Sequence, residues 1–406
     1  MPPRRFSLAL FSVLVAASGP AMAANKVSPQ PLPRATPAEV GMDAVGLQKV
    51  DDKLREFVAR KQVAGGVVLV ARHGKVVHLS AIGKADIATA RPIQPDTIFG
   101  LASMTKSLTG TALMILVDEG KVQLDVELST YLPAFKEMRL RGGKKPARQI
   151  IVRDCLRHTS GLENKSTEGN SLAEIVDGLA KTELMFDPGS QILYGPGQHV
   201  CARIVEVVSG KSFEEFSAER IFKPLGMVDT TYRPNPEQQK RAAKIYKPSA
   251  DGKDLVPGEH NLLDFSTVKT RVPNPSGGIF SSVPDLARFF LMIRNGGELQ
   301  GTRILSAKTI KEMGTLQTSG LTIGTFPGRG WGLAFRYISD PNGGENIKKL
   351  ARGTFGHGGA FGTEGWIDPV HDTIFIMLIQ RQNFSDKTTD GIREALQGQV
   401  IDSIRD

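Results

Sequence analysis

The sequence predicts a mixed α/β fold of the α+β type: one antiparallel sheet built from N- and C-terminal segments, flanked by helices, with a mainly helical region inserted. Two observations predict it. Short apolar runs bounded by turn residues, the pattern of strands, occur within residues 67–82 and again within residues 331–380. Between them, apolar residues recur at helical spacing among Pro/Gly loops. Because strands need partners for their backbone groups, strands at both ends of the chain are expected to share one sheet.

The N-terminal part begins with a helix and a hairpin. Apolar residues recur at helical spacing over residues 43–61, and two apolar runs, 67–71 and 76–82, flank a polar turn that contains Gly74. His73 and His78 lie in and beside this turn. No third ligand is nearby in sequence, so solvated histidines are favoured over a metal site.

The middle and the tail contribute helices and then strands. A helix opens at Ser103 and ends at Gly120, others follow Ile151 and Pro196, and a clear one covers residues 285–295 between Pro284 and Gly296. The tail predicts successive strands over 331–338, 354–357, 362–367 and 373–380, and a closing amphipathic helix over 388–405.

The first 23 residues have the pattern of a secretory signal peptide. Arg4 and Arg5 precede an apolar run over residues 6–17, and Ala21-Met22-Ala23 is a small-x-small cleavage site. We therefore expect an exported protein, periplasmic or secreted, with an uncleaved anchor and twin-arginine export as lesser alternatives. The mature chain, 24–406, contains no run long enough to span a bilayer. It is expected to form one domain with an α/β part (39–102 and 326–406) and a mainly helical part (103–325).

The charge and the cysteine content of the chain limit which binding partners and which cross-links are expected. The formal charge is +9, and a basic cluster lies beside Gly142-Gly143: Arg139, Arg141, Lys144, Lys145 and Arg148. No aromatic residues interleave with it, so a solvated loop is favoured and no nucleic-acid partner is predicted. Cys155 and Cys201 lie on apolar faces of predicted helices, and both a disulfide and two buried free thiols remain open. The sequence carries no signal for an oligomeric state.

The strongest chemical signal is Ser103-Met104-Thr105-Lys106 at the start of a helix. Residues three apart share one helix face, so the lysine amine can reach the serine hydroxyl and take its proton. Backbone N–H groups at the helix start favour an anion there. The same spacing recurs from Ser266 to Lys269, but a poor helix follows it, so the first copy is favoured as a nucleophile site.

Two further elements fit such a nucleophile. Tyr194 lies in a Gly/Pro turn before a helix, where a tyrosine beside a cationic lysine can hold a depressed pKa and act as general acid or base. The run from Phe355 to Ala360 is rich in glycine, which lets a backbone approach a ligand closely. His357 within it is a rival base, although the G-x-S-x-G motif of α/β-hydrolases is absent.

Taken together, these motifs resemble the serine β-lactamase and penicillin-binding-protein superfamily, with the nearest likeness to class C β-lactamases and family VIII carboxylesterases. The likeness extends over most of the mature chain, through the early hairpin and the following segments: 99–106, 153–162, 204–210, 224–227 and the closing Gly-His-Gly-Gly run. It implies a β-lactamase/transpeptidase-like fold that needs no cofactor and no metal.

The resemblance also implies roles for single residues. Ser103 would be the acylated nucleophile, Lys106 its base, and Tyr194, which matches the tyrosine of a Tyr-x-Asn element, a proton relay. His357-Gly358-Gly359 stands where β-lactamases carry Lys-Thr-Gly. The N–H groups of Ser103 and Ala360 would form the oxyanion hole.

Two departures from this pattern narrow the function. Pro196 replaces the asparagine of Tyr-x-Asn, and His357 replaces a lysine that helps hold a substrate carboxylate. A mostly neutral histidine supplies less charge, so recognition of β-lactams and of D-Ala-D-Ala is expected to weaken. The sequence therefore predicts a serine hydrolase, a carboxylesterase acting on small ester or amide substrates. A β-lactamase or D,D-peptidase and a catalytically inactive binding protein of the same fold are the alternatives.

Overall fold

The structure, a computed structural model, describes residues 29–164, 169–321, 324, 326–344, 347–385, 388–389 and 391–405. The predicted signal peptide, residues 1–23, lies outside these residues and stays a prediction. Within the described ranges no helix combines the length and the apolar character needed to cross a membrane.

The helices of the described chain follow the predicted pattern closely. Predicted helices near residues 43–61, 151–156, 285–295 and 388–405 are all present, and the helix predicted from Ser103 begins with a 3-10 turn over Ala102–Met104. Their bounds are α1 (Ala44–Ala59), α2 (Thr105–Asp118), α3 (Val152–Leu156), α4 (Leu172–Ala180), α5 (Gly197–Ser209), α6 (Phe213–Ser217), α7 (Pro236–Arg241), α8 (Val283–Arg294), α9 (Ala307–Met313) and α10 (Ile392–Asp402).

The strands form one large sheet and three small ladders. Their bounds are β1 (Gly65–Arg72), β2 (Lys75–Asp86), β3 (Arg91–Pro92), β4 (Phe99–Gly100), β5 (Tyr246–Pro248), β6 (Leu255–Pro257), β7 (Phe280–Ser281), β8 (Glu298–Leu299), β9 (Thr302–Arg303), β10 (Arg329–Trp331), β11 (Arg336–Ile338), β12 (Phe355–Gly358), β13 (Glu364–Asp368) and β14 (Thr373–Ile379). The large sheet has the order β10-β11-β12-β13-β14-β1-β2-β3, and the small ladders are β4-β7, β5-β6 and β8-β9.

The large sheet joins the two ends of the chain. β1 pairs antiparallel with β14, with Gly66 opposite Ile379, and its other neighbour is β2. The N-terminal strands thus complete a sheet whose other strands come from the tail. This confirms the predicted fold class of one antiparallel sheet built from both termini.

Helices cover both faces of this sheet, which explains the continuous apolar run of β1. Successive side chains of a strand point to opposite faces. Val67 and Leu69 pack into the core that contains α2 and α8. Val68 and Val70 pack into a second core with α1 and α10. Because both faces are buried, every residue of β1 is buried, and no polar alternation appears in its sequence.

The single strand predicted over residues 331–338 is wrong. The chain reverses there, and β10 and β11 pair as a hairpin in which Trp331 lies opposite Arg336. Ala334 has a left-handed φ of 62° in the turn. Gly332 packs so closely that an added Cβ would lie 2.2 Å from the carbonyl oxygen of Met313. The reversal therefore depends on a close tertiary approach that hydrophobic periodicity does not reveal.

Several side chains singled out in the sequence have structural partners. The histidines of the first hairpin are each paired with one carboxylate rather than simply solvated: His73 Nδ1 with Asp372 (2.9 Å) and His78 Nε2 with Asp51 (2.8 Å). Cys155 and Cys201 are both buried free thiols, which decides between the two alternatives.

The basic cluster is partly neutralised by ion pairs. Arg141 contacts Glu163 at 2.6 Å, and Arg148 contacts the fully buried Asp154, also at 2.6 Å. Asp154 accepts further hydrogen bonds from Arg157 and from the hydroxyl of Thr159. The cluster thus helps to hold the loop after α3 in place.

Candidate active site

Ser103 lies in a tightly held turn between β4 and α2. The residue before it, Ala102, has a left-handed φ of 47°, which is unusual for a residue with a side chain and needs support from its surroundings. The support comes from the backbone of Leu101, whose N–H donates to Ile279 O (2.8 Å) and whose carbonyl accepts from Thr363 Oγ1 (2.7 Å). Ser103 itself remains partly exposed, so a substrate could reach its hydroxyl.

Lys106 lies one turn further along, with its amine beside the serine. Nζ donates to Ser103 Oγ at 3.3 Å and to the carbonyl oxygen of Ser276 at 2.8 Å. The residue is only 4% exposed. Burial, and secondarily the charge of Arg336, lower the pKa of Lys106 to about 7. A lysine with such a pKa is substantially neutral near pH 7, so it can accept the proton of the serine.

Tyr194 lies beside both Lys106 and the sheet residue Trp331, whose ring centre is 5.6 Å from its own. The centre of its ring lies 4.7 Å from Lys106 Nζ, and its hydroxyl interacts with Ser103. The expected depressed pKa is wrong, however. Desolvation raises the pKa of Tyr194 above its usual value, although the hydrogen bond with Ser103 and the charge of Arg336 oppose the rise. Of these two groups, only Lys106 has a pKa near neutral pH. Tyr194 stays protonated there and can donate its proton.

His357 lies beside Tyr194, with 6.3 Å between the ring centres, and among the described residues it forms no hydrogen bond with Ser103. Its Nδ1 is 2.7 Å from the carbonyl oxygen of Gly358, so Nδ1 carries the proton. Its Nε2 is buried and has no hydrogen-bond partner among the described residues. Burial and the charges of Arg336 and Lys106 hold the pKa of His357 well below its usual value, so the ring is neutral. It therefore supplies no positive charge.

The glycine run brings the end of β12 against the turn of Ser103. An added Cβ on Gly359 would lie 2.1 Å from Thr363 Oγ1 and 2.2 Å from the carbonyl oxygen of Leu101. An added Cβ on Gly358 would meet Glu364 Oε1 at 2.3 Å, which is the end of a side chain rather than backbone. At Gly359, therefore, only glycine allows the approach to the Leu101 carbonyl. As a result, the exposed Ala360 follows a segment that touches the turn of Ser103. Backbone N–H groups carried by two such adjacent segments can together bind an oxyanion.

Arg336 is a cation in the site that sequence analysis missed. It lies on β11, opposite Gly356 of β12, and its Cζ is 5.9 Å from the ring centre of Tyr194 and 5.6 Å from that of Trp331. Its Nε is buried without a hydrogen-bond partner in the described part of the chain. The sequence contained no local signal for it, because the hairpin that places it was predicted as a single strand.

His158 and Trp331 complete an aromatic wall behind Tyr194. The ring of His158 lies 4.6 Å from that of Tyr194 and 4.3 Å from that of Trp331. His158 has a left-handed φ of 60°, and its Nδ1 accepts from the N–H of Gly195 at 3.3 Å. It thus fixes the turn that presents Tyr194. The His-Thr-Ser-Gly-Leu segment was the available signal, but it indicated no role for the histidine.

The second serine–lysine spacing does not form a comparable site. Ser266 is exposed, and its hydroxyl donates to the carboxylate of Asp264 at 2.7 Å. The segment around it consists of turns rather than a helix, so Lys269 is not brought back over the serine. Within the described residues no cluster of three or more His, Cys, Asp or Glu side chains is placed to hold a metal ion.

Comparisons with known proteins identify the family to which the chain is similar. The family model described as Beta-lactamase matches residues 50–399. The chain is 25% identical over 397 residues to "Esterase EstB" of Burkholderia gladioli, covering 89% of this chain and 97% of the esterase. It is 26% identical over 380 residues to a "Putative D-alanyl-D-alanine carboxypeptidase" of Escherichia coli O157:H7, covering 86% and 85% of the two chains. Among solved structures, EstCE1, "a hydrolase with promiscuous acyltransferase activity", superposes with a TM-score of 0.74 at 22% identity, covering 87% and 98% of the two chains.

Proposed function

Because the chain belongs to the beta-lactamase family and is a serine hydrolase, we propose that it is an exported carboxylesterase working through an acyl intermediate on Ser103. One observation carries the proposal. The amine of Lys106 lies 3.3 Å from Ser103 Oγ, and its pKa is lowered to about 7. A neutral amine at hydrogen-bond distance is what a serine nucleophile requires.

Acylation follows from this geometry. Neutral Lys106 takes the proton of the Ser103 hydroxyl as Oγ attacks the carbonyl carbon of the ester. The carbonyl oxygen becomes an oxyanion, which the N–H groups of Ser103 and Ala360 bind. As the tetrahedral intermediate collapses, the bond to the leaving alcohol breaks. Tyr194 gives its proton to that alkoxide and regains one from protonated Lys106.

Deacylation reverses the roles with water as the nucleophile. Lys106, neutral again, takes a proton from a water molecule through the hydroxyl of Tyr194. The hydroxide attacks the acyl carbon, and the same oxyanion donors act again. Ser103 Oγ leaves with a proton returned by Lys106, and a carboxylic acid is released. The cycle consumes one ester and one water, and the enzyme ends as it began.

An ester is favoured over a lactam because of what surrounds the nucleophile. His357 is neutral and turns its Nδ1 proton to the Gly358 carbonyl, so it does not provide a cation in the place of the family's lysine. Pro196 offers no amide to orient the carbonyl of an amide substrate. Acyl transfer from a simple ester needs the nucleophile, base and oxyanion donors but neither of these anchors.

The test uses the purified protein with a fluorophosphonate probe, p-nitrophenyl acetate and a chromogenic cephalosporin. We expect labelling and ester turnover, both abolished in Ser103→Ala. Lys106→Ala should lose nearly as much activity, because members of one catalytic unit are not additive. A mild effect of Lys106→Ala would contradict the assignment of the base, and absence of labelling would contradict the enzymatic proposal.

A second candidate, a carboxypeptidase acting on D-alanyl-D-alanine peptides, is favoured by Arg336. Its guanidinium brings into the site the charge that His357 lacks, and its buried Nε has no partner among the residues described. A guanidinium can bind a carboxylate. Release of D-alanine from a diacetyl-Lys-D-Ala-D-Ala tripeptide at a rate above ester turnover, lost in Arg336→Met but not in Arg336→Lys, would favour this candidate over the esterase.

The export part of the proposal rests on the N-terminal sequence alone. We expect cleavage after Ala23 and accumulation outside the cytoplasm. Mass spectrometry of the protein from a periplasmic or culture-medium fraction tests this, and a full-length protein confined to the cytoplasm would contradict it.

A further inference from the structure

A second chamber lies behind the strand that leads to Ser103. Its volume is about 630 Å³. Buried residues form its floor, among them Ile98, Gly100, Tyr246, Phe280 and Gln380, and exposed residues form its rim, among them Ala88, Lys244, Glu259, His260, Asn261 and Asp264. Ser103, Lys106 and Tyr194 are not among the lining residues, so this chamber is separate from the catalytic cleft.

The floor of the chamber contains an unpaired hydrogen-bond donor. Gln380 is only 4% exposed. Its Oε1 accepts from the N–H of Gly100 at 2.8 Å, which fixes the orientation of the amide. Its Nε2 is buried and has no partner among the described residues. A buried donor without an acceptor is costly, so a ligand oxygen at this point would be favourable.

The remaining lining residues indicate the polarity and the charge of the ligand that the chamber would accept. Ile98 and Phe280 form an apolar cluster against which Leu263 packs. The charges at the chamber are three carboxylates, those of Asp86, Glu259 and Asp264, against the single ammonium of Lys244. An anion is therefore disfavoured, and an apolar wall does not suit a cation. The lining matches a neutral, mainly apolar chain that carries one acceptor oxygen.

The chamber is also close to the nucleophile. Gly100 lies three residues before Ser103 in the sequence. Leu263, which lines the chamber, packs as well against the cluster that contains Ala102 and Phe361, the neighbours of Ser103 and Ala360. Leu263 thus contacts both the chamber and the side chains next to Ser103 and Ala360.

We propose that this chamber binds a neutral apolar chain whose carbonyl or hydroxyl oxygen accepts a hydrogen bond from Gln380 Nε2. The chain is either the far end of the substrate's acyl group, passing Leu263, or a separate molecule of the same chemistry. The first source rests on the proposed esterase function, whereas the binding site itself does not.

The binding experiment uses octan-2-one, a ketone that the enzyme cannot hydrolyse. Titration should raise the melting temperature of the wild-type protein in a saturable manner. Gln380→Met removes the Nε2 donor, together with the acceptor of the Gly100 N–H, and should weaken binding roughly fivefold or more. Ala88→Trp fills the exposed rim without touching the floor and should abolish binding. Lys247→Trp, at an exposed position of β5 outside the lining, is the control and should leave binding unchanged.

The two sources are separated by p-nitrophenyl acetate and p-nitrophenyl 7-oxooctanoate, whose acyl chain carries a ketone oxygen at its far end. If the substrate's chain enters the chamber, Ala88→Trp lowers the ratio of kcat/KM for the oxooctanoate over acetate by about tenfold, and octan-2-one competes with the oxooctanoate only. If a separate molecule binds, the ratio is unchanged while octan-2-one still stabilises the protein. No stabilisation by octan-2-one together with an unchanged ratio overturns the proposal, as does equal stabilisation of wild type and Ala88→Trp. Fluorophosphonate labelling of Ser103 reports the esterase function separately, so either proposal can fail alone.

Discussion

The charge of Arg336 should shift the pH at which Lys106 loses its proton, in addition to the larger effect of burial. Lys106 Nζ lies 4.7 Å and Arg336 Cζ 5.9 Å from the same ring centre of Tyr194, so the two cations are at most about 10.6 Å apart, the sum of these distances. At that distance and an effective dielectric constant of about 20, their repulsion is about 1.6 kcal/mol, or roughly one pKa unit. Arg336→Met should therefore raise the pKa of Lys106 from about 7 by roughly one unit.

The sign of the effect on activity follows directly. The base must be neutral, so kcat/KM for a neutral ester rises with pH through the pKa of Lys106 and levels off above it. In the wild type the half-maximal value should lie near pH 7. In Arg336→Met it should move upward, making the variant roughly fivefold slower at pH 7 but close to the wild type at high pH. Tyr194 does not interfere, because its pKa is raised out of this range.

The assay is the pH profile of kcat/KM for p-nitrophenyl acetate, with the rate of Ser103→Ala subtracted at each pH. Arg336→Lys keeps a positive charge and serves as the control. Its kcat/KM should rise with pH around the same midpoint as that of the wild type. A uniform loss at every pH would show that Arg336 acts on the transition state rather than on Lys106. The electrostatic argument would be refuted if the midpoint of the pH profile were unchanged in Arg336→Met. It would also be refuted if the midpoint moved equally far in Arg336→Lys.

Three further changes test the surrounding structure. Gly359→Ala places a Cβ 2.2 Å from the carbonyl oxygen of Leu101, and should lower kcat by roughly 10²-fold by displacing an oxyanion donor. Gly398→Ala is its control, because Gly398 lies in α10 beside the flexible side chain of Lys349. Equal kcat in the two variants would contradict the role given to Gly359. Asp154→Ala leaves two arginines without their buried partner and should reduce the free energy of unfolding by about 3–5 kcal/mol in urea titrations, whereas a loss below 1 kcal/mol would show that the ion pairs are dispensable. Asp285 is buried, and its pKa is raised to about 7. Its contribution to the free energy of unfolding is therefore full below about pH 4 and is lost as the pH rises through 7. Melting curves of Asp285→Asn should lack this decline with pH, and a decline identical to that of the wild type would rule out Asp285 as its source.

Much of the site was predictable because its elements are local in the chain. Ser103 and Lys106 are one helical turn apart, so the backbone geometry of α2 alone brings the amine to the hydroxyl. The glycines after His357 indicated a close backbone approach, and Gly359 does lie against the carbonyl of Leu101. Strands at both ends predicted the shared sheet, because unpaired strand edges need partners whatever their separation.

Features that depend on contacts between distant segments were not predictable. The charge of Arg336 reaches the site only because the chain reverses at Ala334 and β11 then pairs with β12. The fall in the pKa of Lys106 and the rise in that of Tyr194 both follow from the exclusion of water by groups far apart in sequence, and an isolated helix would show neither. Gln380 meets Gly100 across 280 residues.

The sequence by itself determined the fold class and the spacing of the reacting groups, since both follow from local backbone geometry and hydrophobic pattern. Only the tertiary structure decided which side chain has a pKa near neutrality and where the charge of Arg336 lies, because solvent exclusion and electrostatic fields are properties of the packed molecule.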